Sequence, residues 1–206
     1  MPTVGFWAYP WWVNLLVLAP AINFYFWRKR RLEIPWRQLV YAAFFAAGFG
    51  FVEAAVVLYL RAAIGLLPGY EGTLADVVRL SPGVYERSQD LHVLPASLLT
   101  VEVAREAATL VMLVAVALLS AARRRERWAM FLWCFAVWDI AYYAGLWATV
   151  RWPASLASPD VLFLMPEPWM AQVWYPLLVS ALMMVAVVAS RSTATPAARS
   201  AAAGGS

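Results

Sequence analysis

Six ionisable residues stand inside stretches that are otherwise apolar: Glu53, Arg61, Glu102, Arg105, Glu106 and Asp139. Arg105 and Glu106 follow Glu102 by three and four residues in Val-Glu-Val-Ala-Arg-Glu-Ala-Ala-Thr (101–109), so on a helix the three share one face and can pair. Glu53 and Arg61, eight apart, also fall roughly on one face. Charged side chains in a bilayer are costly, point into a bundle or wet cavity, and by default mark a functional site. The chemistry such a set offers is proton transfer. Four acids and two bases sum to −2, and burying that charge uncompensated would cost several kcal/mol, which favours one acid, Glu53 or Asp139, as a neutral proton donor. Glu53, Asp139 and Glu106 are the candidate catalytic residues.

Asp139 sits in Trp138-Asp139-Ile140-Ala141-Tyr142-Tyr143, with Trp147 two turns along. Tyr142 and Tyr143 are placed to hydrogen-bond its carboxyl or line a pocket beside it, and Trp138 and Trp147 to shape that pocket and shield positive charge. Gln172, Pro176 and Ser180 recur every four residues, a stripe expected to face the same cavity, with Pro176 freeing a backbone carbonyl. Glu102, Arg105, Arg61, Thr109, Trp138, Tyr142, Tyr143, Trp147 and Gln172 are the candidate ligand-binding residues. Plainer roles fit too. Arginine beside glutamate is also how helices are tied together, aromatic rings are more often packing or interface anchors, and Asn14 and Asn23 suit helix-to-helix hydrogen bonds.

The elements that must position these groups are membrane spans. The 206 residues are 64% hydrophobic with a mean hydropathy of +0.66, beyond the soluble range. Five stretches suit a hydrocarbon core about 30 Å thick: 10–27, 38–67, 95–122, 128–150 and 169–190. The expected fold is an all-α integral membrane protein, a single five-helix transmembrane domain over residues 1–190. A cytoplasmic tail, residues 191–206, is rich in Ser, Thr, Ala and Gly and is expected to be disordered. The first stretch lacks a basic leader and a small-residue cleavage site, so it is read as a span and not a signal peptide. Small residues from Ala42 to Gly50 suit close helix packing.

Lys and Arg cluster in 28–37, in 123–127 and in the tail, with Arg79, Arg87 and Arg151 opposite; the positive-inside rule puts the N-terminus outside and the C-terminus inside. Fifteen arginines to one lysine hint at a GC-rich bacterial genome, hence a bacterial cytoplasmic (inner) membrane. The positive charge lies in short loops, where the membrane accounts for it, so no nucleic-acid partner is expected. One cysteine, Cys134, and one histidine, His92, leave no internal disulfide and no Cys/His metal motif. No metal or cofactor is expected. The segment 68–94 exceeds a simple hairpin loop and is expected to cap or bind something. In 152–168, the run Val161–Met165 is too short to span and is expected to lie in the interface or dip into the bundle.

Five spans, a second-span glutamate (Glu53) followed by Val57-Leu58-Tyr59, Glu106 with Thr109 in the third, and Asp139-x-x-Tyr142 in the fourth resemble the emopamil-binding protein and sigma-2 receptor (EXPERA-type) superfamily. The resemblance implies a sterol- or amphiphilic-amine-binding cavity among the helices and ligand-facing roles for Glu53, Glu106, Thr109 and Asp139. The chain departs from the sterol isomerase of that group. Phe49 or Gly50 stands where the isomerase has a histidine one turn before its second-span glutamate, and Arg105 has no counterpart. Membrane terpene cyclases are similar only in pairing carboxylates within an aromatic-lined cavity.

The expected function is a pocket for an apolar or amphiphilic molecule, an isoprenoid, sterol-like compound or lipid, with acid/base isomerase or cyclase chemistry by Glu53 and Asp139 if the protein is an enzyme. Two other classes fit the same carboxylates: a proton-coupled small-molecule transporter, and an accessory subunit whose buried charges meet a partner helix. Partners would be membrane lipids, the ligand itself, and a second copy of the chain or a larger membrane complex.

Overall fold

Pro20 marks how the chain enters the fold. Trp11–Val17 form a 3-10 helix that runs on into α1, Leu18–Lys29, with Pro20 the third residue of α1. Proline has no N–H to donate, and the first helical turn is where that loss is tolerated. The expected first span is therefore two helix types in series. The computed structural model describes residues 6–63 and 96–192.

Three long helices follow: α2, Trp36–Ala63; α3, Ala96–Ser120; and α4, Arg124–Val150. Each is long and apolar enough to cross a membrane. After β1, Pro159–Phe163, and β2, Trp169–Gln172, comes α5, Trp174–Ala189, a shorter apolar helix of 16 residues. The expected span 169–190 is thus divided between a strand and a helix. Pro176 is the third residue of α5, where its missing N–H would have no helical partner in any case. It helps start the helix and does not break one, and Gln172, in β2, is not on the helical stripe with Ser180.

Most of the structure is helical, and the β1–β2 hairpin is the departure from an all-α fold. Its strands pair antiparallel, Asp160 opposite Ala171 and Val161 opposite Met170, with a register irregularity between Val161 and Phe163. Tyr9 extends the pairing through two backbone bonds with Met170, 2.8 and 2.6 Å. Val161–Phe163 is thus part of a strand, with Phe163 packed against Phe135 and Trp138 of α4. Its backbone polar groups find partners in a ladder, as any chain near a bilayer requires.

α4 is the central helix, packed most extensively on α2 and then on α5 and α3; α1 packs on α5. Glycines set the closest approach. A Cβ on Gly50 would lie 2.5 Å from the Trp138 carbonyl oxygen, and one on Gly145 would lie 3.2 Å from the Ala54 Cβ. Gly48 faces open space, so of the two glycines in this stretch Gly50 makes the tight contact, and Ala42 and Ala46 are buried beside it in the core. By contrast, α2 and α3 approach each other little.

Arginine-rich segments gather at one end of the molecule. Arg31 donates to the Ala189 carbonyl at 2.6 Å, Arg125 to the Arg31 carbonyl at 3.1 Å and Arg191 to the Ile34 carbonyl at 3.0 Å. There the backbone of Leu32 also bonds Ser190 and Ser192, both at 2.9 Å, so the chain is held through Ser192. The rest of the tail, residues 193–206, and His92 with the whole segment 68–94 lie outside the described residues. Asn23 makes the expected interhelical bond, accepting from the Trp128 indole at 2.8 Å, whereas Asn14 closes a local turn onto Ala8.

Candidate functional site

The close packing of α2 on α4 at Gly50 fixes Glu53 one turn further along α2. Facing it, α3 presents Glu102, Arg105 and Thr109 at helical spacing. Arg105 bridges the two helices: its Nη1 donates to Glu53 Oε2, while its Nε and Nη2 donate to Glu102 Oε2 at 3.1 and 2.9 Å. Thr109 Oγ1 donates to the other Glu53 oxygen at 2.7 Å. Both oxygens of Glu53 thus have a hydrogen-bond partner on α3. The three acids of α2 and α3 are buried, as is Thr109, but 23% of the Arg105 side chain remains exposed. One guanidinium between two glutamates leaves this cluster one negative charge in excess.

Glu106 has a different task. Both its oxygens accept from the backbone N–H of Leu164, at 3.1 and 2.9 Å, tying α3 to the residue just after β1. Thr109, which stands three residues after Glu106, bonds Glu53.

Asp139 is buried on another side of α4, toward α5, where Ser180 Oγ donates to its Oδ2 at 2.8 Å. The phenol of Tyr143 does not serve Asp139; it donates to Asp160 Oδ2 of β1 at 2.8 Å, close enough to Asp139 for the charges to interact. Tyr142 stacks on Trp138, centroids 6.2 Å apart, and lies within electrostatic reach of Arg105. Trp147 is 54% exposed, with the Arg151 guanidinium 4.5 Å above its ring, so it is an outward anchor and not a wall beside Asp139. Gln172 accepts from the Trp174 indole at 2.8 Å, bridging β2 to α5. Arg61 is near the end of α2, and its side chain lies outside the described residues.

The expected residues therefore form two sites. Glu53, Glu102, Arg105 and Thr109 make one between α2 and α3; Asp139 and Ser180 make another between α4 and α5. Among the described residues Glu53 and Asp139 share no hydrogen-bond partner. Sequence reasoning missed Asp160 and the Leu164 N–H because both belong to a hairpin it read as a loop. The signal was present in Pro166 and Pro168, which bound two short runs of strand-compatible residues.

Between the two sites lies an aromatic group. Phe163 stacks on Phe135 at 6.1 Å and contacts Trp138 at 6.5 Å and Trp169 at 5.4 Å. The indole N–H groups of Trp138 and Trp169 are buried and have no acceptor among the described residues. Buried donors normally find an acceptor. A carboxylate, a clamped guanidinium and unmet indole donors suit a molecule that is mostly apolar and carries one or two oxygen or nitrogen functions. No protein-family model, curated protein or solved structure matches the chain.

Proposed function

We propose that this chain is a multi-pass membrane protein that takes an amphiphilic or apolar molecule, isoprenoid, sterol-like or lipid, at the polar cluster between α2 and α3. The observation that carries this reading is Arg105: it holds two buried glutamates yet keeps part of its own side chain exposed, where two helices meet loosely. An intramembrane charge reachable from outside the fold is where a polar headgroup replaces lost hydration, while the apolar body stays in lipid or against Tyr142 and Trp138. Glu53 is the group for acid/base chemistry, should the bound molecule be isomerised or cyclised there. The EXPERA-type resemblance adds ligand-facing roles for Glu53 and Thr109, and their direct bond is consistent with it.

In this reading α1 with its 3-10 helix, and α5 with the adjoining hairpin, complete five crossings in a bacterial inner membrane. The arginine-rich end faces the cytoplasm and the hairpin faces outward. The cluster then lies in the outer half, next to the hairpin that Glu106 holds.

Native mass spectrometry of the gently purified protein, with extraction of bound small molecules, tests this. A discrete apolar ligand that is lost in Glu53→Gln and retained in Asp139→Asn is the expected result. Bulk phospholipid alone, unchanged by Glu53→Gln, would overturn it. The second reading is proton-coupled transport, favoured by buried Ser180, Asp139 and Tyr143, which lead beside α4 to the half-buried Asp160. Uptake into proteoliposomes that follows a pH gradient and fails in Asp139→Asn would favour it.

A further inference from the structure

At the arginine-rich end an open groove of about 510 Å³ is lined by Phe26, Trp27, Arg30, Arg123 and Arg125. That volume is within the roughly 300–1,000 Å³ typical of small-ligand sites. Three of the five lining residues are arginines and none is acidic. The nearby acids are committed to one of them: Arg123 Nη1 lies 2.8 Å from Glu33 and 3.6 Å from Glu126. Arg30 has no ion pair among the described residues. Arg125 gives one Nη2 bond to the Arg31 carbonyl, and its Nε is buried without an acceptor among the described residues. Two guanidinium groups are therefore left without counter-charge in a concave site, with an unmet donor on one of them.

The groove walls differ in character. Trp27 is buried and forms part of the body of the site, while Phe26 is 68% exposed at its edge, on the last turns of the apolar helix α1. A fork of arginine donors matches phosphate oxygens, and an exposed aromatic ring beside it suits an acyl chain. We propose that this groove binds the phosphate group of an anionic membrane phospholipid, with Arg30 and Arg125 on the phosphate and Phe26 against the chain below it. The site is at the opposite end of the bundle from the Glu106-held hairpin, and it does not depend on what the α2–α3 cluster binds.

The test is native mass spectrometry in nonionic detergent, titrating the full chain separately with phosphatidylglycerol, phosphatidylcholine and inorganic phosphate. Phosphatidylglycerol should bind in preference to both others. Arg30→Gln/Arg125→Gln should weaken it roughly tenfold or more, and Arg37→Gln, which removes from the exposed start of α2 the same single charge that Arg30→Gln removes from the groove, should change it little. Arg30→Gln removes no hydrogen bond among the described residues, so it decides the matter alone if the double variant fails to fold. Equal binding of phosphatidylcholine, equal binding of inorganic phosphate, or equal losses in Arg37→Gln and the pocket variants would each overturn the proposal.

Discussion

Arg105 of α3 reaches Glu53 of α2 across two helices that otherwise approach each other little, and it holds Glu102 of its own helix with the same guanidinium. With the Thr109 hydroxyl on the other Glu53 oxygen, the ionic link between α3 and α2 is made by Arg105. Removing it leaves two buried carboxylates facing each other. Arg105→Ala should destabilise the fold by about 3 kcal/mol or more, the usual cost of breaking a buried pair from one side. Adding Glu53→Gln and Glu102→Gln to Arg105→Gln should recover much of that loss. Unfolding curves in detergent for the single and triple variants would show it; a triple variant no better than the single one would mean that the arginine acts through packing.

Two glycines two residues apart in α2 should respond in opposite directions. Gly50→Ala puts a methyl group 2.5 Å from the Trp138 carbonyl, backbone that cannot swing aside, and should cost about 1–3 kcal/mol as α2 and α4 are pushed apart. Gly48→Ala meets nothing and should be neutral or gain up to about 1 kcal/mol from helix propensity. Thermal unfolding of both variants is the measurement, and equal effects would contradict the packing described.

Glu106 should act on the hairpin more than on the helices. In Glu106→Ala the Leu164 N–H loses both acceptor oxygens. Hydrogen exchange followed by mass spectrometry should then speed up over residues 159–172 by roughly fivefold or more, the equivalent of about 1 kcal/mol, while α2 and α4 keep their protection. Tyr143→Phe, which releases Asp160, should loosen the same segment.

Ser180→Ala removes the hydroxyl that donates to Asp139 at 2.8 Å. A buried acid deprived of its donor should cost about 1–3 kcal/mol. Asp139→Asn/Ser180→Ala should cost less than the sum of the two single changes, because the groups share one bond. Additive losses in a double-mutant cycle would show that the two do not interact.

The sequence was most readable where one physical signal dominates. Uninterrupted apolar runs without internal proline became α2, α3 and α4, and Glu102, Arg105 and Glu106 did fall on one helix, where Arg105 pairs with Glu102 at the expected spacing while Glu106 bonds the Leu164 N–H. Arg124–Arg127 joined α4 although no hydropathy pattern reveals a polar helical end. What stayed hidden depends on distant partners. Val161–Phe163 and Trp169–Gln172 become strands because they find each other and Tyr9, and Tyr143 turns from Asp139 to Asp160 because that hairpin exists. Periodicity along one helix predicts which residues share a face, not which neighbour claims them.

The first and last described parts of the chain meet twice, at Tyr9 with Met170 and at Leu32 with Ser190 and Ser192, and α1 rests on α5 between these two seams. During synthesis α1 emerges before the hairpin and α5, and the two seams cannot both close until these have followed it. These contacts are therefore complete only after all the described helices have been made. A ribosome stalled before Met170 would leave Tyr9 and α1 without the partners that the hairpin and α5 supply, exposed to whatever quality-control machinery surveys unfinished chains.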